Sequence, residues 1–369
     1  MLPGRAVAGP LPGRGLALRG TVWTGGAATP IDGVVVVAGD GTVAAVGPVD
    51  AVGVPADLPV LGDRGWWIGP GVIDAHAHLA LAEPEQLLVG GVVGVRDLGA
   101  PRPLARAYRT GPDGPPPARP VVAVAGPVLT APGGYPSRSW GAAGFAEFVD
   151  TPERAEQIVA GLAADGVDLI KIALEPGPGW PVPSPRVVRA VVEAAHARGL
   201  PVVAHALTVD LVGRALDAGV DELAHVPVER LPPSMVDRLA AAGIVVVSTL
   251  QTFFACGEGP TAAANAAELV RAGVRLVYGT DLGNVGTRPG VDPRELDRLA
   301  ASGLGRLGAL RAATEGAARV AGVAGRHGRT GRIEAGGPAV LVVLSGDPLV
   351  EPGVWWCPRV VVCDGRVVT

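Results

Sequence analysis

Lysine is nearly missing from this chain: of 31 Lys and Arg residues only one, Lys171, is a lysine. Positive surface charge is therefore carried by arginine, and the single ammonium needs its own explanation. Cysteine is scarce too, and Cys256, Cys357 and Cys363 show no CxxC spacing and leave an odd count. A disulfide framework is thereby excluded as the source of stability. With no long basic block and a formal net charge of -4, nucleic acid and anionic membrane are excluded as main partners. No apolar run is long enough to cross a bilayer, and residues 1–20 lack the apolar stretch of a signal peptide. These absences lead to the expectation of a cytoplasmic protein acting on a small molecule.

A hydrophobic content of 48% over 369 residues excludes a mainly disordered chain and exceeds what one compact domain usually needs. Residues 1–69 hold short apolar strands (16–22, 34–37, 43–46) broken by turn signals, with Asp40-Gly41 as a hairpin turn. Residues 331–369 repeat that character at 340–343, 359–362 and 366–368, with Asp364-Gly365 as a second hairpin. Both ends together predict one small β domain, or two separate small sheets.

Residues 70–330 alternate strand and helix. Eight strands are expected, at 72–77, 92–97, 121–126, 168–173, 201–205, 221–225, 244–249 and 275–280. Helices are expected at 152–164, 184–198, 209–218, 233–242, 262–272 and 309–321. Thr151 before Pro152 is an N-cap followed by proline in the first turn, and Gly199, Gly219, Gly243 and Gly273 are C-terminal stops. Strands that are apolar on both faces, each joined to the next by a helix, pair in parallel with both faces covered. Eight such units predict a closed (β/α)8 TIM barrel. A long loop at 126–149, after strand 3, is expected over one mouth of it, and a second long loop, 252–260, is expected after strand 7.

The residues 71–79, Gly-Val-Ile-Asp-Ala-His-Ala-His-Leu, put Asp74, His76 and His78 on one face of strand 1. His205 ends strand 5, His225 ends strand 6, Asp281 ends strand 8 and Lys171 lies late in strand 4. Carboxyl ends of barrel strands share one mouth, so these side chains can meet. Imidazole and carboxylate donors suit zinc, and manganese, iron or cobalt as well. His196 and His327 fall in or just after helices and read as outer-surface residues. Lys171, between Ile170 and Ile172, would be a costly buried charge and would repel cations. Adding carbon dioxide turns its amine into a carboxylate-like donor able to bridge two ions; the alternative is a structural pairing with Glu175 or Asp168.

With these motifs the chain resembles the amidohydrolase superfamily, and within it the prolidase-like and imidazolonepropionase-related metal-dependent hydrolases. The resemblance rests on residues 71–79 (GVIDAHAHL), 95–99 (VRDLG), 168–172 (DLIKI), 203–206 (VAHA), 219–225 (GVDELAH), 279–281 (GTD), 312–316 (AATEG) and 331–348, with Gly346-Asp347-Pro348 inside the last. It implies a small β-sandwich from the two termini beside the barrel. It also implies two divalent metal ions, Zn2+ first among candidates. His76, His78 and Asp281 would hold one, His205 and His225 the other, and a carboxylated Lys171 would bridge them. Asp281 would take the proton of the attacking water and pass it to the leaving group. Tyr135 stands where some relatives have histidine, Ser248-Thr249-Leu250 where many have Pro-Thr, and Pro338-Ala339 where Ala-Asp is usual.

Tyr135, Arg138, Trp140 and Tyr278 are the substrate-binding candidates. Arg138 could grip a carboxylate bidentately, which would favour a dipeptide, an N-acyl amino acid or a related acid. The expected reaction is hydrolysis of an amide, peptide or cyclic amide bond. The competing readings are a mononuclear deaminase or imidazolone-type hydrolase, a lactonase or phosphotriesterase, and a non-catalytic barrel that binds a partner. Arg96 and Asp97, near strand 2, read as a buried ion pair or as residues supporting the metal ligands from behind, rather than as substrate contacts. Trp355 and Trp356 suit either a homo-oligomer contact or packing in the β domain.

Overall fold

Period-two alternation in the C-terminal strands sorts their apolar side chains between two cores. Leu341, Val343, Val360 and Val362 join Leu16, Leu18, Val35 and Val37, whereas Val342, Leu344, Val361 and Cys363 join the main barrel core. The computed structural model describes residues 8–82, 85–110, 119–177, 179–323 and 330–368. Both ends of the chain build one sheet, ordered Ala8–Pro10, Arg366–Val368, Val360–Cys363, Leu341–Leu344, Trp67–Pro70, Leu16–Val22, Ile31–Val37, Val43–Pro48, with Val60–Leu61 beside Leu16–Val22. Strands near opposite ends of that order share one core, since Val43 and Val362 lie in the same cluster. The sheet therefore folds over itself as a small sandwich. Asp40-Gly41 and Asp364-Gly365 make the two hairpins, with Gly41, Asp364 and Gly365 at positive φ.

Eight parallel strands form the barrel: strand 1 Val72–Ala77, 2 Val92–Asp97, 3 Val121–Val124, 4 Ile170–Ala173, 5 Val202–His205, 6 Glu222–Leu223, 7 Val245–Val247 and 8 Arg275–Val277. Its two seams are closed by isolated backbone bonds, one between strands 3 and 4 and three between strands 8 and 1. Asp168 N donates to Val124 O at 2.9 Å between strands 3 and 4. Ala75 N donates to Tyr278 O (3.1 Å), Asp281 N to His76 O (2.8 Å) and His78 N to Leu282 O (2.8 Å) between strands 8 and 1. Leu98, Ala125, Leu169, Val203 and Ala224, one from each of strands 2 to 6 or its end, form a separate buried layer inside the cylinder. Counting two residues on from Leu169 and Val203 reaches Lys171 and His205, which alternation keeps inside. Two residues back from Leu98 and Ala224 stand Arg96 and Glu222.

Helices pack outside. Thr151 Oγ1 accepts from Arg154 N and caps Pro152–Ala164, as the sequence predicts. Gly199, Gly219, Gly243 and Gly273 all adopt positive φ at helix ends. No helix among the described residues is long and apolar enough to cross a membrane.

Four expectations need correction. The stretch 252–260 is not a loop: Leu250–Cys256 and Gly259–Arg271 are helices. The first begins where the Glu295 carboxylate accepts from Leu250 N and Gln251 N, a cap from 44 residues downstream that local reading could not find. The stretch 126–149 contains two short strands, Val128–Thr130 and Ala146–Phe148, paired to each other. The expected helix 309–321 is interrupted by a wider turn at Ala312–Gly316, where backbone of Gly331 crowds Thr314 and Glu315. Finally, Arg96 and Asp97 do not pair, because neighbours in a strand face opposite ways. Arg96 bonds Glu222 at 2.7 Å and the carbonyls of Ala75 and Val320 at 2.8 Å, while Asp97 accepts from Leu79 N at 2.9 Å.

Candidate metal centre and active site

Three donor atoms face one another at the barrel mouth. His76 Nε2 lies 3.1 Å and His78 Nε2 3.3 Å from Asp281 Oδ1, and the two imidazole nitrogens are 3.4 Å apart. Donors around a tetrahedral ion with bonds of about 2.1 Å stand about 3.4 Å from each other. The triangle has the dimensions of a ligand set, and no directed hydrogen bond reaches Asp281 Oδ1 or the second His78 nitrogen. Among the described residues these three form the group of His, Cys, Asp and Glu able to share an ion. His225 adjoins it, 4.7 Å between ring centroids from both His76 and His205.

Second partners orient the rings. His76 Nδ1 donates to Ala224 O at 2.9 Å, which leaves its Nε2 lone pair aimed at the centre. His225 Nδ1 meets Thr249 Oγ1 at 2.9 Å. His205 Nε2 meets the Glu175 carboxylate at 3.3 Å; a carboxylate only accepts, so Nε2 carries the proton and Nδ1 remains free. Thr249 and Asp281 are both held at positive φ, 44° and 57°, a backbone strain that side-chain-bearing residues adopt only when their surroundings impose it. For Asp281 that constraint is Asp74, which accepts from Thr280 N at 3.0 Å and Thr280 Oγ1 at 2.5 Å and so ties strand 8 to strand 1.

Burial, aided by the Lys171 ammonium, pushes His76 down to about 3. Burial likewise lowers His205, and it lowers His225 well below the usual imidazole value with help from the neighbouring rings. Neutral imidazoles are the state a cation needs. Burial opposes the charge of Asp281, but attraction to the His76 imidazole in its protonated form, with smaller help from His78 and His225, holds its carboxyl well below the usual range, so Asp281 stays ionised. Burial also pushes Lys171 down to about 7. Neither structural partner expected for Lys171 engages it, since Asp168 accepts from Val124 N and Glu175 faces His205.

The cavity over this cluster measures about 220 Å3 and is lined by His76, His78, Lys171, His205, His225 and Asp281 together with Tyr135 and Trp140. Two substrate-binding candidates do not reach it. Arg138 is exposed and lies against Gly133 outside the cavity. Tyr278 is fully buried, and its hydroxyl accepts from Asp292 N at 2.8 Å in the barrel wall. His196 is at the surface beside Asp221, as read from the sequence, and His327 lies outside the described residues. Trp355 is buried in the main core, and Trp356 is exposed under Arg288.

The model of the amidohydrolase family matches residues 67–368, which takes in all eight barrel strands and the C-terminal part of the sandwich. This chain belongs to the amidohydrolase family. An uncharacterized protein of Mycobacterium tuberculosis is 28% identical over 337 residues, covering 82% of this chain and 85% of its own. Among solved structures, a prolidase complexed with N-methylphosphonate-L-proline has 25% identity and a TM-score of 0.77, covering 96% of this chain and 99% of its own. A Xaa-Pro dipeptidase with bound methionine in its active site shares the fold at 21% identity and a TM-score of 0.79, covering 95% and 99%.

This amidohydrolase is thus a hydrolase acting on carbon–nitrogen bonds. Its cavity includes residues that sequence reasoning did not select: Glu175, Thr252, Phe253 and Asn284. Thr252 and Phe253 were hidden by the misread loop, and Glu175 was considered only as a partner for Lys171. Neutral burial of His76 has a measurable consequence in the metal-free amidohydrolase. Below the unfolded value of 6.5 the unfolded state takes up a proton that the native state refuses down to about 3. Its stabilising contribution is therefore complete above pH 6.5 and shrinks as pH falls. Between pH 7.5 and 5.5, urea unfolding is expected to show the wild type losing about 1 kcal/mol relative to His76→Asn; parallel curves would contradict this.

Proposed function

We propose that this amidohydrolase uses divalent cations to hydrolyse an amide, peptide or cyclic amide bond of a small substrate. The donor triangle of His76, His78 and Asp281 carries the reading, because its edges match a ligand set, both imidazoles are buried and burial holds His76 neutral. These three residues would hold one ion, His205 and His225 a second, and a carboxylated Lys171 would bridge the two. Zinc is the first choice for such donors. A bound pair of this kind activates water and polarises the scissile carbonyl.

The chain's own groups do the remainder. Asp281, ionised and fixed by its strained backbone and by the strand-1 contact, receives the proton of the attacking water and delivers it to the leaving nitrogen. Glu175, Ala224 and Thr249 set the ring orientations of His205, His76 and His225. Lys171, lowered by burial, has ready access to the neutral amine that adds carbon dioxide. Tyr135 and Trp140 shape the cavity wall, and burial keeps the Tyr135 phenol protonated, at about 12. Arg138 lies outside the cavity, so the argument for an acidic substrate does not carry over.

A single-ion variant of this chemistry is favoured by one observation, that only His76, His78 and Asp281 converge tightly among the described residues. Elemental analysis after metal loading separates the two. About two ions per chain, together with native mass spectrometry showing one added carbon dioxide that disappears in Lys171→Met, is the expected result. One ion with an unmodified lysine would establish the mononuclear form, and none would end the reading. A hydrolysis screen over dipeptides, amino-acid amides, lactams and lactones then tests the reaction itself.

A further inference from the structure

Once the ligand set is assigned to cations, what remains of the cavity lining is unusual in its charge. Tyr135, Trp140, Leu207, Phe253 and Asn284 are neutral, and Glu175 is the one charged group left. The chain is rich in arginine, yet among the described residues no arginine lines the cavity. A substrate carboxylate would meet Glu175 and find no guanidinium to grip it.

Glu175 has spare capacity. Its Oε1 accepts from Gly177 N at 3.1 Å and its Oε2 faces His205 Nε2 at 3.3 Å, so two of about four lone-pair positions are used. It shares the cavity lining with the rings of Tyr135, Trp140 and Phe253. The Tyr135 ring centroid is 5.1 Å from that of His205 and 5.6 Å from that of Trp180, in a stacked arrangement, and Tyr135 Oη accepts from Trp140 Nε1 at 3.0 Å. A carboxylate beside aromatic faces is the combination that attracts an organic cation.

We propose that Glu175, Tyr135 and Trp140 form a cation subsite, so that the substrate carries a protonated amine close to its scissile amide, as an amino-acid amide or an aminoacyl compound does. The subsite deepens the hydrolase reading and rests on it for the identity of the reacting bond. The contact between Glu175 and His205 places the cation next to the reacting centre, within the reach of an α-amino or short side-chain amine.

The test begins with binding, which needs no turnover. Tryptophan fluorescence of the metal-loaded protein is titrated with benzylammonium and with its neutral counterpart benzyl alcohol. Benzylammonium is expected to bind about tenfold tighter, and Glu175→Gln is expected to abolish that advantage. Equal binding of the two probes, or an advantage that survives in E175Q, overturns the proposal. Should E175Q fail to fold, Trp140→Leu reads the same subsite: benzylammonium must weaken more than benzyl alcohol, and equal weakening overturns it.

Turnover supplies the second arm, with kcat/KM measured for amino-acid anilides carrying a free or an acetylated amine. A preference for the free amine that falls about tenfold in E175Q supports the subsite. A uniform fall for both substrates leaves Glu175 as a positioning residue for His205 and overturns it. Selective benzylammonium binding by a protein that cleaves none of the screened amides supports the subsite while removing the hydrolytic reading, so the two can fail separately.

Discussion

An Asp281→Asn variant is expected to turn over about a hundredfold to ten-thousandfold more slowly than the wild type. Asparagine keeps the shape of the side chain and an oxygen that can still face His76 and His78, but it cannot take a proton. The position leaves little room for compensation. Backbone at φ 57°, the bond from Asp281 N to His76 O at 2.8 Å and the clamp of Asp74 on Thr280 hold the carboxylate in one orientation. Metal content measured on the same preparation divides a proton-transfer defect from loss of an ion. Retained metal with lost turnover is the expected pair of results, and near-normal turnover would remove Asp281 from the proton path.

The second large effect concerns stability. Arg96 and Glu222 form an ion pair inside the barrel, with side chains 0% and 6% exposed, and Arg96 also donates to the carbonyls of Ala75 and Val320. Removing one member strands the other charge in a medium that cannot solvate it. Arg96→Met or Glu222→Met is therefore expected to cost about 3–5 kcal/mol. The double variant leaves no orphaned charge and is expected to recover much of that loss, because the pair's attraction is offset by the cost of burying both ions. Denaturant unfolding of the metal-free set of four proteins gives the coupling directly. A double variant as unstable as the sum of the singles would mean that the bonds of Arg96 to backbone carbonyls matter more than its charge. Lys171 adds a second reading, since Arg96 and Glu222 shift its amine in opposite directions.

Periodicity made the barrel legible. Helices starting at Pro152 and Val209 and stops at Gly219 and Gly243 follow local rules of capping and backbone freedom, and each occurs where those rules place it. Polar residues at strand ends in an otherwise apolar pattern marked the six residues now found around one cavity. The lone lysine could be singled out for the same reason, a charge set between two isoleucines.

Long-range contacts decided the rest. Whether 252–260 is loop or helix depended on a carboxylate at Glu295, and whether Arg96 would pair with its neighbour or across the barrel depended on which strand faced it. Arg138 and Tyr135 lie three residues apart in one loop, yet one is exposed and the other walls the cavity. Alternation and capping are properties of neighbours along the chain, so the order of residues alone determined the fold class and the set of candidate donors. Donor geometry, ring tautomers and the charge of the pocket depend on atoms brought together from different strands, and those only the closed barrel could specify.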